Sequence, residues 1–142
     1  MLKRGIVKLL KRGIVGYQYS FEKLDVWKDA RLFVSEIYLI TKRFPNDEKY
    51  SLTSQICRAA VSVVSNIAEG VSRSSTKEKI RFIDISYGSL MEVYCQLCIA
   101  SDLKYITENE LDTLKLSVDK ISNKLTALVK SYERMNKTTI TQ

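Results

Sequence analysis

A chain of 142 residues that is 45% apolar and 27% charged is long enough to bury one core and too hydrophobic to be a disordered polymer. Five glycines, one proline, three cysteines and no histidine argue against a many-stranded β-fold, a disulfide framework and imidazole-based catalysis. Five of the seven net positive charges fall in residues 1–20, as Lys3, Arg4, Lys8, Lys11 and Arg12 with no acid among them, so the remainder is only mildly basic at +2.

Residues 1–20 contain LKRGIV twice, at Leu2–Val7 and Leu10–Val15. An eight-residue spacing is too short for a solenoid unit. The stretch reads either as a basic, weakly amphipathic arm for RNA or a membrane surface, or as a flexible extension weakened by its glycines. It lacks the apolar centre and small-residue cleavage site of a signal peptide. No run of 18 apolar residues occurs, so no membrane span is expected.

The spacing of apolar residues predicts four long helices over 21–135, at about 22–43, 50–72, 76–104 and 108–134. In the first, Trp27, Ala30, Val34, Ile37, Thr41 and Phe44 recur every three or four residues, and Pro45 ends it. The second carries Leu52, Ile56, Ala60, Val63, Ile67 and Val71 on one face, with Gly70 expected to weaken its last turn. The third opens on a capping box, Ser75 with Glu78. It has two apolar rows, Ile80-Ile83-Tyr87-Leu90-Tyr94-Leu97 and Phe82-Ile85-Val93-Ala100-Leu103. A helix apolar on two sides predicts a second partner, read as self-association, with Gly88 and Ser89 allowing another backbone to approach. The fourth starts at a second box, Thr107 with Glu110, and carries Leu111, Leu114, Val118, Ile121, Leu125, Leu128 and Tyr132. Residues 136–142 are expected to fray. Short connections between such helices give an all-α, antiparallel, up-and-down four-helix bundle.

Little catalytic chemistry is available. No phosphate-binding glycine loop or nucleophile elbow occurs. Cys95 and Cys98 have CxxC spacing, but two further zinc ligands are missing. Cys57, Cys95 and Cys98 read as reduced, buried thiols of a cytoplasmic protein. Glu69, Asp84 and Glu92 offer carboxylates without a partner one turn away. A non-enzymatic protein with no cofactor and no metal is expected.

The second helix also carries a polar row: Gln55, Arg58, Ser62, Asn66, Glu69 and Arg73. At 100° per residue these share a narrow stripe. It reads as an internal seam fixing register or assembly, as a contact for ligand or nucleic acid, or as a solvated face. Glu69 and Arg73 are spaced to pair, as are Arg58 and Ser62. Basic residues gather at the next turn as Arg73, Lys77, Lys79 and Arg81, beside the backbone N–H groups of a helix start. The fourth helix adds Lys115, Lys120, Lys124, Lys130, Arg134 and Lys137. Of these residues, Arg73, Lys77, Lys79, Arg81, Lys120, Lys124, Lys130 and Arg134 are the candidate nucleic-acid contacts.

FEKLDVWKDAR at Phe21–Arg31, the Phe44–Pro45 pair, ExYxLxxQxxRAAxSxxxNIAEG from Glu48 to Gly70 and GSLxE at Gly88–Glu92 resemble one family across about Phe21–Arg134. It is the bacterial four-helix bundle family encoded by intervening sequences inside 23S ribosomal RNA genes. The chain is also similar to accessory variability determinant proteins of diversity-generating retroelements. The resemblance implies a ring-like homopentamer. It also implies electrostatic binding of RNA or an RNA/DNA hybrid and, by analogy, a reverse transcriptase as partner. Its recurrent residues fall on Gln55, Arg58, Asn66, Glu69, Gly70, Gly88, Ser89 and Glu92, and are read as architectural. The alternative reading is a scaffold that docks protein partners without nucleic acid.

Overall fold

A computed structural model describes residues 16–140. The proposed arm therefore lies mostly outside the described residues; only 16–20 of it are seen. A 3-10 turn at Ser20–Lys23 leads into α1 (Asp25–Thr41), and a second at Asn46–Glu48 precedes α2 (Leu52–Ser72). The long pair α3 (Thr76–Asp102) and α4 (Glu108–Ile140) follows. The described residues contain no strand. Each helix packs on its neighbours in sequence, most extensively α2 on α3, and α1 closes the bundle against α4.

The helix ends follow from local chemistry. Pro45 cannot continue α1, and the turn after it is held by Glu48, whose carboxylate accepts the Leu52 N–H at 3.1 Å and the Tyr105 hydroxyl at 3.2 Å. At α3 the Ser75 hydroxyl accepts the Glu78 N–H at 3.2 Å, but Glu78 turns its carboxylate to Arg81, so that capping box is half formed. At α4 the box closes both ways: Glu110 N–H donates to Thr107 Oγ1 at 3.1 Å, and Thr107 N–H to Glu110 Oε1 at 3.0 Å. Arg43 grips the same carboxylate from the end of α1. These donors, Arg43 foremost, hold the Glu110 carboxyl down at about 2.

Helix α3 ends with Tyr105 N–H on Ala100 O at 2.9 Å and Lys104 N–H on Ser101 O at 3.0 Å. That is a Schellman stop, with Lys104 in the left-handed region at φ 64° where glycine is usual. Helix α4 runs through Ile140, past the point where fraying was expected. The Thr138 and Thr139 hydroxyls each bond the carbonyl one turn back at 3.0 Å, and Lys137 favours the negative end of the helix.

Phe33 and Ile37 of α1, Ile56 and Ile67 of α2, Ile83, Leu90 and Leu97 of α3, and Ile121 and Leu125 of α4 are almost completely buried. They stack along the bundle axis. Gly70 does more than loosen a helix end. A Cβ there would lie 2.9 Å from Phe82 Cβ and 3.1 Å from the Lys79 carbonyl, so the missing side chain is what lets α2 and α3 meet. Of the three thiols, Cys57 and Cys98 are half-buried, but Cys95 is exposed rather than buried as expected.

Candidate assembly and nucleic-acid surfaces

The polar row of α2 divides into two sets. Ser62, Asn66 and Gln55 turn toward α3. The Ser62 and Ser89 hydroxyls lie 2.9 Å apart, and Asn66 Nδ2 donates to Ser62 Oγ at 3.0 Å and to its carbonyl at 2.8 Å. Gln96 Nε2 donates to Gln55 Oε1 at 3.1 Å and to Glu92 Oε1 at 3.3 Å. Below them the fully buried Ser86 donates to the Val63 carbonyl at 2.8 Å. The amide oxygen of Gln96 is buried without a hydrogen-bond partner. The α3 members of this seam (Ser86, Ser89, Glu92 and Gln96) were the part that periodicity on α2 did not reveal. Their signal in the sequence is polar residues every three or four positions inside an apolar helix.

Arg58, Glu69 and Arg73 form the second set, and all three are exposed. The pairings suggested by spacing do not form: Ser62 bonds across to α3, and Arg73 lays its guanidinium 4.6 Å from the centre of the Phe82 ring instead of on Glu69. On the same outer side α3 exposes Ile85 at 40%, Ile99 at 42% and Leu103 at 49%, with the Glu92 carboxylate between them. Nothing lies within 4 Å of where a Gly88 Cβ would be. The outer α2–α3 face is thus apolar patches interleaved with opposite charges.

The candidate basic contacts also separate. Lys120 and Lys124 reach across to Asp29 of α1, at 3.4 and 2.5 Å. Burial pushes the Asp29 carboxyl up, but the two ammonium groups outweigh it and hold it below its usual range. These two lysines tie α4 to α1 while part of each side chain stays in solvent. Lys79 donates to the Val71 carbonyl at 2.8 Å, closing the end of α2, and lies 5.6 Å from the Tyr132 ring centre. That contact puts the α2–α3 turn and the last turns of α4 at one end of the bundle. Arg73, Lys77 and Arg81 therefore share an end with Lys130 and Arg134, all exposed. Arg81 pairs with Glu78 at 3.2 Å and Arg134 bonds the Lys130 carbonyl at 3.4 Å, both near solvent.

Between α3 and α4 near this end lies a cleft of about 300 Å³ bordered by Asp84, Tyr87, Lys130 and Glu133. Among the described residues no three His, Cys, Asp or Glu side chains are grouped to hold a metal ion. No described helix is long and apolar enough to cross a membrane.

A family model described as 23S rRNA-intervening sequence protein matches residues 22–127. Among solved structures, a protein of unknown function from the S23 ribosomal protein family of Bacteroides thetaiotaomicron superposes with a TM-score of 0.69 at 23% identity. The match covers 74% of this chain and 98% of that one. Comparison with curated proteins finds no match.

Proposed function

Because the chain belongs to the 23S rRNA-intervening sequence protein family, we propose that it is a non-enzymatic bundle that assembles with its own copies and binds RNA or an RNA/DNA hybrid by charge. Assembly uses the outer α2–α3 face, where Arg58 and Glu92 are exposed together with Ile85, Ile99 and the bare Gly88. A ring of five, as the family resemblance implies, would repeat that contact. The observation that carries the nucleic-acid reading is the gathering of Arg73, Lys77, Arg81, Lys130 and Arg134 at one end of the bundle. Each copy brings a modest charge, and a ring sums them into one field. Three free thiols and no disulfide suit a reducing cytoplasm. No histidine is present to serve as a neutral-pH base, and the α3–α4 cleft is lined by Lys130 as well as by Asp84 and Glu133.

The test is binding of structured RNA as a function of salt. Contacts through these five cations per protomer should give a log–log slope of roughly −4 to −5 on a duplex. Binding that ignores salt, or no retention on RNA at about 50 mM salt, would overturn the reading. A protein partner recovered regardless of nuclease treatment would instead favour a scaffold.

A further inference from the structure

The segment entering the bundle is aromatic in a way the family match does not cover, since that match begins at residue 22. Tyr17 and Tyr19 leave 84% and 60% of their surface in solvent. Their rings meet edge to face with centres 5.3 Å apart. Tyr19 lies parallel to Phe21, within 8°, at 6.2 Å. Phe21 in turn meets Trp27 at 5.1 Å, and the Arg31 guanidinium caps the Trp27 ring at 5.3 Å. Five side chains therefore form one ladder whose inner end is anchored on α1 and whose outer end is bare.

The ladder is held in place by the turn beneath it. Tyr19 N–H donates to the Glu22 carboxylate at 2.7 Å, and Glu22 N–H returns to the Tyr19 carbonyl at 3.1 Å. The one acid within the turn is thus occupied by the backbone. Beside Phe21 a cleft of about 280 Å³ is lined by Ala68, Glu69, Ser72 and Arg73. It offers a guanidinium, a carboxylate and a hydroxyl next to an aromatic face.

We propose that Tyr17, Tyr19 and Phe21, with the adjoining Glu69–Arg73 cleft, form a stacking platform for single-stranded nucleic acid. This rests on the nucleic-acid reading above and adds a strand preference to it. Exposed rings give each unpaired base a face to stack on, and the Arg73 guanidinium beside Phe21 is placed to meet a connecting phosphate. A duplex hides its base faces and gains only from the cations. The Glu69 carboxylate and the Arg73 guanidinium provide an acceptor and donors for the edge of a base that enters the cleft. An acidic or purely apolar protein partner would use only half of these features.

The experiment compares the full-length protein with Tyr17→Ala/Tyr19→Ala and Tyr17→Phe/Tyr19→Phe variants. The probes are a labelled single-stranded RNA of about 12 nucleotides, within the usual ~4–16 nucleotide footprint, and an RNA duplex of the same length. Both tyrosines are exposed, so neither variant threatens the fold. The alanine variant should lose about tenfold or more in single-strand affinity, with duplex affinity changed by less than about twofold. The phenylalanine variant should keep single-strand binding. Trp27, the sole tryptophan, should change its fluorescence when the single strand binds to the unmodified protein. An alanine variant that binds the single strand as before, or that loses both probes equally, overturns the platform while charge-based binding stands. A protein that binds neither probe overturns both readings.

Discussion

Replacing Gly70 with valine should destabilise the protein by about 3 kcal/mol or more, which lowers the melting temperature by roughly 10 °C for a domain of this size. The cause is geometric. The first added carbon would stand 2.9 Å from Phe82 Cβ, 3.1 Å from the Lys79 carbonyl and 3.2 Å from Ile83 Cδ1. Two of those neighbours cannot swing away, because one is backbone and the other sits at the root of its side chain. The helices must then separate along the most extensive interface in the bundle. Alanine provides a milder comparison, since about 1 kcal/mol of helix propensity offsets part of the clash. Thermal unfolding of both variants measures this. Valine melting with the unmodified protein would mean that α2 and α3 do not approach so closely.

The second large effect separates the buried from the exposed apolar residues of α3, a division the two predicted rows do not follow, since Val93 and Ala100 of the second row are fully buried and Ile85 and Leu103 are exposed. Leu90 is fully buried, a member of the same core as Val63 and Leu125. Its truncation to alanine should cost about 2–5 kcal/mol, the lost transfer energy plus the cavity left behind. Ile99, 42% exposed on the outer face, has much less to lose inside one protomer. Its replacement by serine should leave unfolding within about 0.5 kcal/mol once copies are separated, while weakening their association. Denaturant unfolding of the two variants reads the difference directly. A Leu90→Ala loss below about 1 kcal/mol would contradict the placement of this residue in the core.

Much of the architecture was legible because it depends on neighbours in sequence. Pro45 ended α1, the Thr107–Glu110 box opened α4, and the apolar row Leu114-Val118-Ile121-Leu125 faces the core as its spacing implies. What depends on contacts between helices was less legible. The polar row of α2 was visible, but its partners Ser89 and Gln96 lie 27 and 41 residues away from the groups they bond. Periodicity fixes a face and leaves open the rotation of the helix that will meet it. The Lys124–Asp29 pair spans 95 residues, so spacing along α4 gives no sign of it. Gly70 read as a weak turn because the value of an absent side chain appears only when another helix touches it. Tyr17 and Tyr19 fell in a stretch dominated by lysine, arginine and glycine, where no helical period drew attention to them.

Joining of one copy to the next through the outer α2–α3 face, left apolar and charged by a complete bundle, would set the size of the particle in solution. Light scattering of the purified protein tests it most directly. The expected particle is several times the 16.3 kDa chain, about fivefold if the ring has five members. A stable 16.3 kDa particle, with Ile85 and Ile99 facing water, would contradict it.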